Sequence, residues 1–407
     1  MIGPWHLFYG IEKMAPPDCR NLCTLFFVVL LACARPAAAI DLLEQPSVQS
    51  GAATRTLLLD VTTRDRDSYV AVGTFGVIVV TEDDGSSWQQ AAVPVSIALT
   101  GVYFPTPQKG WAVGHDGVIL HSSDGGKNWQ KQLDGYQLNE QIIAVAERIV
   151  GQVRSELEEL EADENADEYD IEDAEFALEE AEFMLEGAMD DIDAGPVRPL
   201  LDVWFRDETT GFVTGSYGML LHTDDGGETW TLVSDRMDNP EAFHLNQIQR
   251  APDGVLFIAG ESGQVFRSFD DGDSWDSLEP GYPGSWYGLV IVPRASSGYE
   301  LIVYGLQGNV YRSTDQGETW RQVDVGTQVT LTTGMLLADG SVVLAGHGGT
   351  LLMRGSGQQQ FQQVDNPDRR VIAGIEQKSN GNLIVVGLGG IRVNGPNGMP
   401  LNHSDNP

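Results

Sequence analysis

Two residue types in this 407-residue chain sit at spacings that invite chemistry: aspartates in a recurring polar box, and scattered histidines. The box reads T-D-D-G-G-E-T-W at 223–230. It recurs as T-E-D-D-G-S-S-W at 81–88, S-S-D-G-G-K-N-W at 122–129, S-F-D-D-G-D-S-W at 268–275 and S-T-D-Q-G-E-T-W at 313–320. Its central carboxylates, Asp83, Asp124, Asp225, Asp270 and Asp315, invite calcium, a hard cation that takes oxygen ligands. A local use competes with that reading, because an Asp side chain caps the N–H groups of a tight turn while Gly takes the positive φ that a Cβ resists. The turn accounts for the pattern without a ligand, so these aspartates are assigned to folding. Among the histidines, His115, His121, His222, His244, His347 and His403 show no i, i+4 pair and no accompanying Cys. No metal or cofactor is expected from them.

What must position the boxes is a repeated unit. Each box reads as the turn of a β-hairpin, and its Trp (Trp88, Trp129, Trp230, Trp275, Trp320) opens the next strand, where a large ring fills the space between neighbouring units. Ahead of each box lies a small-residue turn whose first glycines are Gly73, Gly114, Gly215, Gly260, Gly305, Gly346 and Gly387. Their intervals are 41, 101, 45, 45, 41 and 41 residues. All six intervals are regular once about 60 residues are removed from the long one, and a four-stranded period of this length is the signature of a β-propeller. The expectation is an all-β, seven-bladed propeller. The second unit reads as strands at 99–104, 110–114 and 117–121, with a fourth from Trp129. The sixth box has decayed to R-G-S-G-Q-Q-Q-F at 354–361, and the seventh unit ends after its third strand at Val393. The chain around 42–48 is then the natural donor of the missing outer strand.

The interruption spans about 136–195 and divides the propeller into 40–135 and 196–407. Ile142, Ala146, Ile149, Val153, Leu157 and Leu160 recur every three or four residues, as do Ala174, Leu178, Ala181, Leu185 and Ala188, which predicts two amphipathic helices. Asp170 is the expected cap of the second, and Gly195-Pro196 its stop. Residues 138–195 hold 21 Asp or Glu against Arg148 and Arg154, a net of −19 in a chain whose formal charge is −35. Such a run is either a solvated spur or a docking arm. Phe176 and Phe183, one heptad apart and opposite the Ala174/Leu178/Ala181/Leu185 stripe, give the second reading its residues, for the propeller rim or for a partner.

Composition bounds the rest. A strongly acidic chain repels nucleic acid and anionic membrane surfaces. At the N-terminus, the apolar run 24–32 follows Lys13 and Arg20 and precedes Ala37, Ala38 and Ala39, which describes a cleavable export signal over 1–39, with Met14 a plausible start. All three cysteines, Cys19, Cys23 and Cys33, fall there. Cleavage after Ala39 leaves a thiol-free periplasmic or secreted chain with no membrane span; acylation of Cys33, in L-L-A-C, is the alternative.

The unit G-x-x-G-x-ϕ-ϕ-x-[ST]-x-D-x-G-x-[ST]-W resembles the BNR, or Asp-box, propellers. Residues 201–230, L-D-V-W-F-R-D-E-T-T-G-F-V-T-G-S-Y-G-M-L-L-H-T-D-D-G-G-E-T-W, are most similar to the photosystem II stability and assembly factors and their relatives in bacteria without photosynthesis. That resemblance implies a non-enzymatic helper in the assembly of a membrane protein complex. The acidic insertion departs from it, and so does the sparse basic surface, with Arg267 and Arg312 alone preceding boxes. The competing resemblance is to sialidases, whose sites imply three arginines gripping a carboxylate at one mouth; Arg55, Arg206 and Arg250 are the nominees here.

In a four-stranded blade the strand 2–3 turns and strand 4–1 connections emerge on one face, and the boxes on the other. The glycine turns therefore share a face with the insertion. His115, Asp116, Tyr217, Glu261, Gln307 and His347, at geometrically equivalent positions but of varied chemistry, are the expected partner-binding residues of that face, or else ordinary loop residues.

Overall fold

The computed structural model describes residues 40–294 and 298–401. The export signal, Cys33 and His403 lie outside them. Alternating apolar runs between glycine turns give seven antiparallel sheets, six of four strands and a last one of three, each in simple sequence order. The first blade is typical, with strands Leu58–Asp65, Ser68–Gly73, Ile78–Thr81 and Gln89–Gln90. Second strands are buried from end to end, as at Gly110–Gly114 and Val342–Gly346, because both faces of a mid-blade strand are covered by neighbouring blades.

The core is divided among seven apolar clusters, one per blade boundary. Leu99, Val102 and Phe104 of the second blade pack with Val70, Ile78 and Val80 of the first. At the far end Ile384 and Val386 of the seventh blade pack with Leu58, Val61 and Val79 of the first, closing the ring. Box tryptophans fill these boundaries as expected. Trp129 meets Phe104 edge-on at 5.9 Å, Trp230 meets Phe205 at 5.8 Å and Trp275 meets Phe212 at 6.3 Å. Where the sixth box has decayed, buried Phe361 takes the place of the Trp.

First strands stand side by side around a central channel: Leu58–Asp65, Leu99–Tyr103, Leu200–Phe205, Leu245–Arg250, Trp286–Pro293, Leu331–Leu336 and Ile372–Gln377. Polar side chains link neighbouring first strands. Asp202 accepts the backbone N–H of Ile248 at 2.9 Å, Gln247 accepts that of Leu289 at 2.8 Å, and Glu376 accepts that of Thr63 at 3.0 Å. Thr100 donates to the carbonyl of Leu200 at 2.7 Å.

Two expectations are corrected. The segment around 42–48 does not supply an outer strand to the seventh blade. It runs along the first two blades, where Ser47 N–H donates to Val93 O at 3.0 Å and Leu43 is buried in their shared cluster. Burying Leu43 outweighs completing the sheet, and the outer edge at Arg392–Asn394 is met instead by the turn that brings Pro400 opposite Asn394. Closure of the ring is carried by the seventh cluster and by Ile391 N–H on the carbonyl of Thr54 at 3.0 Å.

The second correction concerns a cap. The insertion is two helices, α1 (Gly135–Ala162) and α2 (Glu168–Ala194). Asp134 caps α1 in a reciprocal capping box with Gln137. Asp170 lies inside α2, and the side chain that accepts a first-turn N–H, from Tyr169 at 3.1 Å, belongs to Asp167. The helices share a seam at Val150, Ala181 and Ala188, all buried. Gly195, at φ 83°, ends α2 before Pro196.

Candidate partner-binding faces

Each box aspartate is saturated by its own turn. Asp225 accepts Thr223 Oγ1–H at 2.9 Å and Thr229 N–H at 2.9 Å on one oxygen, and Thr229 Oγ1–H at 2.6 Å on the other. Asp83, Asp124, Asp270 and Asp315 repeat the arrangement. The hydroxyl of Ser87 holds Asp83 down to about 2, and that of Ser274 does the same for Asp270. Among the described residues no group of three or more His, Cys, Asp and Glu gathers as metal ligands do. His121 and His222 lie against rings, 4.8 Å from Trp111 and 4.5 Å from Phe212, and burial pushes both imidazoles below their ordinary pKa.

The strand 2–3 turns share a face with α1 and α2. Gly117, in the second blade's turn, abuts Gly135 at the start of α1. His115, Asp116, Tyr217, Glu261, Gln307 and His347 all lie in these turns, though not at one geometrical position. Asp116, Tyr217 and Gln307 occupy the left-handed apex, at φ 55°, 55° and 56°, whereas His115, Glu261 and His347 precede it. Of the six, the structure brings Tyr217 and Glu261 together, through His244. Tyr217 meets the His244 ring at 5.4 Å, the guanidinium of Arg198 sits 5.0 Å over Tyr217, and Glu261 Oε2 is 3.6 Å from His244 Nδ1. The rest are spread from blade to blade. Phe75, 70% exposed at the first blade's apex, belongs with this set and escaped sequence reasoning. Superposing the first turn on the third by register would have found it.

The opposite, box-bearing face holds what the sequence reading missed. Between the fifth and sixth blades lies a groove of about 1140 Å³ lined by Arg294, Arg312, Arg321, Arg354 and Glu300. Arg354 grips both Glu300 oxygens, at 3.0 and 2.7 Å, with both side chains buried, and Arg312 reaches Glu300 at 3.4 Å. Exposed Arg294 and Arg321 are left facing the groove. Arg267 and Arg312 stand directly before the box Ser, whereas Arg354 takes the place of the box Ser itself, opposite Val342 as Ser268 and Ser313 are opposite Leu256 and Leu301. Arg354 is not among the residues that precede boxes, because it replaces the first residue of the decayed one. Arg267 is not available to a ligand, being buried and paired with Asp276 and Glu318 at 3.1 and 2.8 Å.

The family model described as photosynthesis system II assembly factor YCF48 matches residues 44–157 and 188–400. The chain belongs to this family. The photosystem II assembly lipoprotein Ycf48 of Synechococcus sp. (strain CC9902) is 35% identical over 100 residues, 24% of this chain and 29% of that protein. The chain thus matches under a third of the length of this curated relative. Among solved structures, YCF48 bound to a D1 peptide superposes with a TM-score of 0.56 at 17% identity, over 88% of this chain and 98% of that one. YCF48 from Cyanidioschyzon merolae gives 0.55 at 16%, over 86% and 98%. At these identities the superpositions show the propeller fold.

The YCF48-family model leaves 158–187 unmatched, which is half of the helical hairpin. The three sialidase nominees do not meet at one site: Arg206 and Arg250 converge on Asp271, at 3.6 and 3.9 Å, at the ends of the third and fourth first strands. Arg55 precedes the first strand, at the other end of the ring.

Proposed function

We propose that this chain is an exported, non-enzymatic assembly factor that holds a segment of a membrane-protein client while the client's complex is built. The observation that carries this reading is the arginine groove. In a chain of formal charge −35, four arginines converge on one surface with Glu300 already neutralised by Arg354. An extended peptide with a free carboxylate or an acidic side chain fits it, since Arg pairs with carboxylates in planar, two-bond geometry. The YCF48 structure with a bound D1 peptide supports a peptide as the ligand class. The turn face, with His115, Asp116, Tyr217, Glu261, Gln307 and His347, provides a second contact with the assembling complex, on the side from which the hairpin rises.

The export reading rests on the residues of 1–39, and the lipoprotein name of the Synechococcus relative favours acylated Cys33 over cleavage near Ala39. Among the described residues no helix is long and apolar enough to cross a membrane. Intact-mass analysis decides between a thiol-free chain starting near Ile40 and a lipid-modified Cys33.

The test of the groove is peptide binding followed by fluorescence anisotropy. A library of client tail peptides with free and amidated carboxyl termini should show preference for the free carboxylate. Arg294→Ala with Arg321→Ala should weaken binding about tenfold or more. Equal binding by the double variant would remove the groove from the proposal.

A further inference from the structure

We infer that the helical hairpin is a docking arm for a basic amphipathic helix of another protein. The observation is an aromatic row on α2. Tyr169, Phe176 and Phe183 recur every seven residues and are 75%, 61% and 75% exposed. Seven residues are nearly two helical turns, so the three rings lie in one line on one face, about 21 Å from first to last at 1.5 Å per residue. Ala174, Ala181 and Ala188 follow the three rings by five positions, about 140° around the helix, and they face the α1 seam, where Ala181 and Ala188 are buried. The rings therefore point away from both α1 and the propeller.

Exposed aromatics in line on a water-facing helix are costly unless something covers them, and single exposed apolar residues do not form such lines. The flanks say what covers this one. Exposed Glu172 and Glu179 run along one side of the row and Asp173 and Glu180 along the other, within a segment, 138–195, that carries 21 acids against two arginines. A complementary surface has an apolar stripe bordered by Lys or Arg. A helix of about 15–20 residues supplies that stripe over the row's length, packing along α2 on the side away from α1. A second copy of this chain would bring the same negative field, and an anionic bilayer would too, so both are disfavoured by Coulomb repulsion. The arm is also held ready. Gln141 bonds Trp230 O and Leu232 N of the third blade at 2.9 and 3.2 Å, Arg148 pairs with Asp235 at 3.0 Å, and Arg154 with Glu182 of α2 at 2.6 Å. Little ordering remains to be done on binding.

The inference is independent of what occupies the arginine groove, and the experiment keeps the two apart. The full processed chain and its Tyr169→Ser/Phe176→Ser/Phe183→Ser variant are titrated against three labelled 18-residue model peptides. One is a Leu/Lys amphipathic helix, one the same composition scrambled to destroy the stripe, and one the Leu/Glu counterpart. The amphipathic basic peptide should bind the parent at least tenfold more tightly than the scrambled peptide, and should lose that advantage on the triple variant. Rising salt should weaken its binding, and the Leu/Glu peptide should not bind. Arg294→Ala/Arg321→Ala should leave the titration unchanged. Equal binding of amphipathic and scrambled peptides would reduce the arm to a diffuse charge and overturn the inference. So would unchanged binding by the triple variant, or a parent dimer or a flotation with zwitterionic vesicles that the triple variant abolishes. Unchanged melting temperature and circular dichroism certify that the variant folds.

Discussion

Asp60 of the first blade accepts the backbone N–H of Val102 in the second at 2.9 Å, and that of its own neighbour Val61 at 2.8 Å. Asp202 and Glu376 make the same cross-boundary bond to Ile248 and Thr63. Burial pushes Asp60 up to about 6, and Asp202 and Glu376 to about 7. The folded ring thus binds these protons more tightly than the unfolded chain. Their contribution to stability is complete below the ordinary carboxylate range, near pH 4, and is lost as the pH rises through 6 to 7. Melting temperature should therefore fall between pH 4.5 and 7.5, and Glu376→Gln should flatten that fall. A parent whose melting temperature is level over this interval contradicts the assignment.

The box aspartates act in the opposite direction. Asp83 and Asp270, held at about 2, contribute stability above pH 4 that disappears as the pH drops toward 2. An acid limb below pH 4 should appear in the same melts. Replacing both by Asn should shrink it.

Trp230→Ala removes the ring that packs edge-on against Phe205 and should cost about 3–5 kcal/mol in denaturant unfolding. Asp225→Ala removes the exposed turn bonds and should cost about 1 kcal/mol. Peptide binding by the groove should survive Asp225→Ala at temperatures where the protein stays folded.

In the groove, Arg354 and Arg321 should separate by phenotype. Arg354→Ala leaves the buried Glu300 carboxylate with only the 3.4 Å contact to Arg312 and should destabilise the fold by about 3–5 kcal/mol. Arg321→Ala should leave stability within about 0.5 kcal/mol, because the side chain is exposed, and should act on peptide affinity alone. Equal melting temperatures for the two variants would deny the division.

The hairpin should be removable, but not from its first residue. Leu138 is buried with Trp111 and Phe205, and Gln141 bonds the third blade's outer strand, so the first two turns of α1 belong to the propeller. Replacing 149–188 by a short Gly/Ser linker should leave the melting temperature near that of the parent. Removal of 136–195 should lower it. A larger loss from the shorter deletion would contradict this boundary.

The propeller was legible in the sequence because its signal is repeated seven times, and chance errors in one unit are corrected by the next. Gly110–Gly114 was read to the residue, since glycine brackets it on both sides. The path of 42–48 was not legible, because an apolar residue such as Leu43 shows that it must be buried but not where. The groove escaped for a related reason. It is made by side chains from two blades, Arg312 and Glu300 from one and Arg354 from the next, and Arg354 stands where the intact boxes have Ser or Thr, so no repeat pattern points to it. Phe176 and Phe183 were found by period, whereas Tyr169, one heptad earlier, lay next to the acidic turn and was not counted.

The seventh blade keeps its three strands to itself, and the first blade takes none of them. Each blade is therefore a contiguous stretch of chain that can be finished as it leaves the ribosome, without waiting for a distant partner strand. The last boundary is different. Until the segment 372–394 has been made, Leu58, Val61 and Val79 of the first blade have no cover, and neither have Val343, Leu351 and Leu337 of the sixth. A truncated chain presents two bare apolar walls at once, and one late event hides both. Synthesis of the seventh blade is thereby coupled to the disappearance of the surfaces that chaperones and proteases recognise.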